Sequence, residues 1–443
     1  MRVNNFTWVF LVLLCGALLS GASDHDDTFT VITLRHPKEA AGKIQYTINQ
    51  IVVDFYPYIP DAAKTIAIAS SAYGENHEEK TISCFGSTMY EEDPETHINH
   101  SLVLYRRFRG NTDAYGVVDH YQTLEGGRPH INRIAMTAGS GATNGSMAEP
   151  IYLGVVVTHG KWAENLSKLE INVYRYEPNP EDWIKIGNKT IGWSDDLRHI
   201  DDVALAADGN DLWVFWLYSY LDENEDRIRD FRGYRINNAS GRNTIDTISN
   251  NSFYAPNVIL GDVINADWDN IIDLPRIIWT RIDGGYYKTY AGRVVLHPVT
   301  KQPNEMDHIH QISNNNSSHA SNPSIAVNNS EYDEFRAFAG FTFGENTSNV
   351  KLKLINGDDV WQQPENYYKY GIDPLDSYIT YRYFGTSKFI WMESETIQSK
   401  DEIIAEGNHY HKCLQLKTNR NNKKDIYTSY SEDQTVIIQE LHP

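Results

Sequence analysis

Four times along this chain an alanine stands between two large apolar residues, and the spacing is nearly regular. The triplets are Ile66-Ala67-Ile68, Ile134-Ala135-Met136, Val203-Ala204-Leu205 and Ile325-Ala326-Val327. The first three begin 68 and then 69 residues apart, and the fourth follows after 122, close to two shorter periods. A degenerate copy fits that gap, either at Val258-Ile259-Leu260 or at Pro275 to Trp279, and another stands at Tyr378-Ile379-Thr380. Self-similarity at a fixed period is the signature of a repeat architecture, in which each unit buries its apolar faces only against its neighbours.

The units are β-rich. Short runs such as Ile151 to Thr158, Leu169 to Tyr176, Leu212 to Tyr220 and Tyr378 to Phe384 carry β-branched and aromatic residues between turn-forming clusters. The 28 tyrosines and 10 tryptophans suit pleated surfaces better than helices. The nearest thing to a helix is Lys38 to Asp54, and even there Tyr46 to Val53 has strand character. An all-β chain follows, and four antiparallel strands repeated about six times describe a β-propeller. In such a wheel the innermost strands converge on an axis, where alanine relieves crowding, and the outer strands have room for aromatics. Two stacked β-sandwiches would give the same strand content without the recurring alanine. In a closed ring, Thr28 to Asp54 precedes the first repeat and could add a strand to the last blade.

The first residues point outside the cell. Arg2 precedes an apolar run from Trp8 to Leu19, followed by small residues at Ser20 to Ser23 and then an acidic stretch. That is the layout of a secretory signal peptide over residues 1–22, leaving 23–443 as a single propeller domain. The run is too short to span a bilayer, which takes roughly 20 residues, so no membrane insertion is expected. Glycosylation sequons begin at Asn99, Asn144, Asn165, Asn188, Asn238, Asn250, Asn315, Asn316, Asn328 and Asn346, each expected on a surface loop. Beyond the leader two cysteines remain, Cys84 and Cys413. In an oxidising compartment they form either one disulfide or two separate buried thiols. A disulfide would join the first repeat to the last and lock the seam. Nothing in the net charge of −20 favours a nucleic-acid partner, which needs basic patches, and a glycan or an extracellular protein is the expected ligand.

Two segments carry a family resemblance. SNPSIAVNNSEYDEFRAFAGF (Ser321 to Phe341) and DDVALAADGNDLWVFW (Asp201 to Trp216) resemble blade openings of the sialidase-like β-propellers. The resemblance implies that architecture and raises glycoside hydrolysis as an activity. The family's Ser-x-Asp-x-Gly-x-x-Trp turn is not intact in this chain, and its catalytic arginines, Tyr/Glu pair and Asp have no residue-by-residue match.

Four groups of residues suggest chemistry. Asp222, Asn224, Asp226 and Asp230 occupy alternate positions of LDENEDRIRD, a spacing that can converge oxygen ligands on Ca²⁺, although Arg227 stands where such loops carry glycine. Asp267, Asp269 and Asp273 form a second acidic stretch. For hydrolysis, Asp201, Asp202, Asp283, Glu393 and Glu395 fall near strand ends, and Arg276 with Arg281 could clamp a carboxylate. Gly284-Gly285-Tyr286-Tyr287 and Tyr367-Tyr368-Lys369-Tyr370 offer aromatic faces for a sugar. Motifs for serine acylation, zinc proteolysis and nucleotide binding are missing. A lectin-like recognition protein is the function these features favour, with a secreted glycosidase or a signalling glycoprotein as alternatives.

Overall fold

The computed structural model describes the backbone of twenty-eight strands, and side chains mainly within 200–237, 260–313 and 318–343. Every described regular element of more than a single turn is a strand. The N-terminal pair is β1 (Val31–Arg35) and β2 (Asn49–Asp54). The first sheet follows with β3 (Ile66–Ala72), β4 (Thr81–Glu92), β5 (Ile98–Phe108) and β6 (Asp113–Tyr121). The second has β7 (Pro129–Gly139), β8 (Tyr152–Lys161), β9 (Leu166–Pro178) and β10 (Glu181–Ile191). The third has β11 (His199–Asp208), β12 (Asp211–Leu221) and β13 (Arg227–Ile236). The fourth has β14 (Leu260–Asp269), β15 (Leu274–Asp283), β16 (Tyr286–Leu296) and β17 (Pro303–Gln311). The fifth has β18 (His319–Val327), β19 (Phe335–Gly344), β20 (Asn349–Asn356) and β21 (Glu365–Lys369). The sixth has β22 (Asp376–Arg382), β23 (Thr386–Met392), β24 (Thr396–Ser399) and β25 (Ile403–Glu406). The last has β26 (His411–Thr418), β27 (Ile426–Glu432) and β28 (Thr435–Leu441).

Within each sheet consecutive strands pair antiparallel in chain order. The first strand of each sheet lies beside the first strand of the next: β3 by β7, β7 by β11, β11 by β14, β14 by β18, β18 by β22, and β22 by β26. The series returns on itself, because β26 lies beside β3. A ring of meander sheets sharing their first strands around one axis is a β-propeller.

Seven sheets form among the described residues, where the repeat spacing predicts six. The seventh escapes the pattern because its first strand, HKCLQLKT, carries no alanine triplet, and because it is assembled from both ends of the chain. Its order is β1-β2-β28-β27-β26. Strand β2 pairs with β28 through Ile51↔Ile438, Val52↔Ile437 and Val53↔Val436. The N-terminal segment therefore completes the last sheet, and 49–54 is strand rather than helix. In the fourth sheet the small residue on the first strand is Ala266, preceded by Ile264 and Asn265. Leu260 only opens that strand, Pro275 to Trp279 belongs to the second strand, and Val258 and Ile259 lie outside the described residues.

Alternation along β11 shows what the small residues do. Val203, Leu205 and Ala207 face the second sheet, packing with Leu212, Val214 and Trp216. Ala204 and Ala206 face the fourth sheet, and the large side chains between the two sheets are Trp213 and Phe231 from the third and Trp268 and Trp279 from the fourth. Trp213 stacks on Trp268 with centroids 4.3 Å apart, and Trp279 meets Phe231 edge-on at 5.4 Å. A larger residue at 204 or 206 would compete with those rings for the same volume.

First strands have a partner on one side only, so their other edge must find hydrogen bonds elsewhere. Side chains of the preceding sheet supply them. Asp202 accepts the Ile264 N–H at 2.9 Å, Asn265 the Ile325 N–H at 3.1 Å, and Asp267 the Val327 N–H at 3.0 Å. On the third sheet's outer side, the Gln302 amide mimics a strand, accepting from Arg235 N–H and donating to Arg235 C=O.

The leader at 1–22 lies outside the described residues. Asn99 and Asn188 fall inside strands β5 and β10, not in loops. The other sequon asparagines, at 144, 165, 238, 250, 315, 316, 328 and 346, lie outside the described residues. Cys84 sits in β4 and Cys413 in β26, in the two sheets that meet at the seam, with side chains outside the described set.

Candidate functional site

One end of the wheel gathers the features that could meet a ligand. First strands begin there, and second strands end there in hairpins. Just before the alanine stretches, β7, β11, β14 and β18 each carry a register shift, between Ile131 and Arg133, Ile200 and Asp202, Leu260 and Ile264, and Ser321 and Ser324. Extra residues at these bulges include Asn132, Asp201, Gly261 and Asn322. Bulges bend a strand and re-aim its side chains, and they recur beside functional sites. Gly261 is required by the bend, since a Cβ there would lie 2.2 Å from Thr280 Oγ1.

The β15–β16 hairpin is the centre of this end. Its turn is Gly284-Gly285, with φ of 61° and 82°, a left-handed pair that glycine adopts freely and that matches strand twist. Beyond the turn, Tyr286 and Tyr287 are half-buried around His319 at the start of β18, with centroids 5.3 and 5.6 Å away. His319 Nδ1 accepts the Tyr287 N–H at 3.2 Å, which fixes the ring nitrogen that carries no proton.

The other flank is ionic. Lys288 Nζ donates to Asp283 at 2.6 Å, and Arg229 on β13 donates to Asp201 at 2.6 Å and to the Leu260 carbonyl at 3.1 Å. Leu260 is in register with Arg281, and Arg281 with Lys288, so these groups form one patch between the third and fourth sheets. The Arg281 guanidinium lies 4.1 Å from the centre of the Tyr290 ring. The hydrogen bond from Lys288, with its charge, holds the Asp283 carboxyl below the usual carboxylate range. Burial pulls the Arg281 pKa down, partly opposed by the charge of Asp283.

The structure separates residues that the sequence groups together. Arg276 and Arg281 lie five positions apart on one regular strand, hence on opposite faces and toward opposite ends. Arg276 is buried in an ion pair with Asp269 at 2.6 Å, so it does not join Arg281 in a clamp. Asp267 and Asp269 are strand and turn acceptors inside β14, not an open acidic loop: Asp269 receives the N–H groups of Ile271 and Ile272. In the 222–230 hairpin, Asp222 Oδ1 already accepts the N–H groups of Asn224 and Asp226, both at 2.8 Å. Asp230 stands on β13 opposite Tyr218, tied to Arg232 at 3.1 Å, so the four calcium candidates do not converge. Among the described residues no group of three His, Cys, Asp or Glu side chains is arranged to hold a metal ion. Glu393 and Glu395 lie outside the described residues.

No family model and no curated protein matches the sequence. Similar solved structures include a sialidase of Trypanosoma rangeli in complex with the inhibitor DANA, at 10% identity and TM-score 0.41. That likeness covers 66% of this chain and 53% of the sialidase, so the chain spans about half of that protein's length. A GH93 α-L-arabinofuranosidase of Fusarium graminearum with arabinobiose is similar at 9% identity and TM-score 0.42, over 88% of this chain and 97% of that one. The Dos1 propeller is similar at 8% identity and TM-score 0.41, over 87% of this chain and 95% of that one. The propeller arrangement of this chain stands on its own sheet order and its ring of first strands.

Proposed function

We propose that this protein is a secreted recognition protein that binds carbohydrate at the β15–β16 hairpin and does no chemistry on it. The observation that carries this reading is the pair Tyr286 and Tyr287, held around His319 beside an exposed Gly-Gly turn. Rings fixed in place lose little freedom when a sugar face stacks on them, and the neighbouring ionic groups can meet hydroxyls.

Hydrolysis fits the described residues less well. A glycosidase needs one carboxyl kept protonated to act on the leaving oxygen. Asp283 is shifted the other way, by its hydrogen bond from Lys288. Asp201 is engaged by Arg229, and Asp202 by the Ile264 N–H. Secretion, the Cys84–Cys413 bridge and sequon occupancy belong to the same proposal, on the strength of the leader-like first 22 residues.

A glycan array probed with the exported protein tests it. Binding to at least one glycan class is expected, falling about tenfold when Tyr286 is replaced by alanine, the loss of one stacked ring. Silence across the array, or turnover of fluorogenic glycosides by the unmodified protein, would overturn it.

A further inference from the structure

The backbone N–H of Tyr287 is turned away from its own hairpin. Asp283 and Tyr286 are the register pair that closes the two-residue turn, and bonds alternate from there, so Tyr287 and Thr289 point their N–H groups away from β15. For Thr289 that outer side is filled: Ser313 Oγ accepts its N–H and the Ile312 N–H donates to its carbonyl, both at 2.9 Å. Tyr287 lies past the end of this arrangement, because β17 pairs with β16 from Tyr290 to Leu296. His319 Nδ1, on the next sheet, meets the Tyr287 N–H at 3.2 Å.

That bond sets a condition on the proton. A neutral imidazole has one donor and one acceptor nitrogen, whereas an imidazolium has two donors. A proton taken up by His319 therefore lands on Nδ1 and sets N–H against N–H at the root of the tyrosine pair. Tyr286 and Tyr287 both lie against the same ring, and attraction of the cation to their faces gives the N–H no acceptor in exchange. The ionisable groups at this end of the elements packed against β18 are Arg281 and Asp283 on β15, Tyr286, Tyr287 and Lys288 on β16, and Asp262 on β14 and Asp376 on β22. The side chains of Asp262 and Asp376 lie outside the described residues, and Asp283 and Lys288 engage each other. Strand β19 ends here in Gly344, the register partner of His319.

We infer that His319 is the positioning residue of the tyrosine pair and couples carbohydrate binding to pH. Its neutral ring holds the start of β16 in the binding arrangement. Acidification through about pH 7 to 5, where histidines change charge, releases that hold and weakens binding. The binding half rests on the recognition reading above; the hold of the ring on the Tyr287 N–H does not.

The test compares the full exported protein at about pH 7.5 and about pH 5.5, on either side of that range. The Kd for the strongest-binding glycan of the array is expected to rise about tenfold at the lower pH, the effect of losing one hydrogen bond. In His319→Asn the side-chain Oδ1 stands where Nδ1 stood and accepts without titrating, so its Kd should be the same at both pH values. His297→Asn, at a histidine that accepts two N–H groups in the β16–β17 turn, should keep the tenfold rise. Hydrogen exchange of the peptide containing Tyr287 needs neither ligand nor variant, so poor folding of His319→Asn leaves the question decidable. The protection factor of that amide is expected to fall at the lower pH. Unchanged protection, or an equal rise in Kd in His319→Asn, would overturn the inference. Tyr286-dependent binding that is equal at both pH values would remove the coupling and keep the recognition reading. A fall in Tyr287 protection with a silent array would support the hold of His319 and remove the recognition reading.

Discussion

Replacing Arg276 by alanine is expected to cost about 3–5 kcal/mol of stability, the usual penalty for stripping one partner from a buried ion pair. The pair is nearly inaccessible, with the Arg276 and Asp269 side chains 4% and 0% exposed and 2.6 Å apart. Its second carboxylate oxygen holds the turn after β14 through the N–H groups of Ile271 and Ile272. Removing Arg276 leaves a buried negative charge that, among the described residues, faces those two donors, at the point where β14 hands over to β15. Combining Arg276→Leu with Asp269→Asn should cost clearly less than the two single changes added together, because neither charge is then left alone. Urea unfolding followed by tryptophan fluorescence measures both. A loss below about 1 kcal/mol for Arg276→Ala would mean that the pair is hydrated.

The second large effect concerns the seam. Strand β2 lies between β1 and β28, so every N–H along it serves one ladder or the other. Proline at Val52 deletes one of those bonds, and its ring disfavours the strand on both sides. With β2 displaced, β28 becomes the edge of the last sheet and presents the run Val436, Ile437, Ile438 along an unpaired ladder, a template for aggregation. Val52→Pro is therefore expected to lower the unfolding midpoint by several degrees and to shift the protein toward high-mass species in gel filtration. Val52→Thr, which keeps a β-branched side chain and the N–H, should do neither. A monomeric Val52→Pro protein with an unchanged midpoint would show that the ring closes without β2.

The sequence made some of this legible. Alanine triplets marked the first strands at Ile66, Ile134, Val203 and Ile325 because crowding near the axis acts on residue size, and size is written in the sequence. The repeat count fell one short of the sheets described because β26, HKCLQLKT, carries no alanine triplet, although Thr28 to Asp54 was already readable as a strand for the last blade. The acidic residues misled for another reason. Asp202 and Asp267 read as ligands or catalysts, yet each serves the open edge of the next sheet's first strand. Only the distance between two separate strands reveals that role. The separation of Arg276 from Arg281 was readable in principle, since an odd interval on a strand puts two side chains on opposite faces. Recognising it required knowing that both lie on β15 with no bulge between them. The Tyr286–Tyr287 hairpin was visible from its Gly-Gly turn; the burial of Arg281 against the Tyr290 ring was not, because it depends on how neighbouring strands and sheets pack.

The most direct test of the account is a cross-link across the seam. Ile51 and Ile438 are register partners on β2 and β28, so cysteines at both positions should be joined by a short bismaleimide in the folded protein. Mass spectrometry of the digest should find the two peptides joined within a single chain, and the yield should fall on denaturation. A folded monomer that gives no such link, while a control pair at Thr428 and Gln439 within the last sheet does, would contradict the closed wheel.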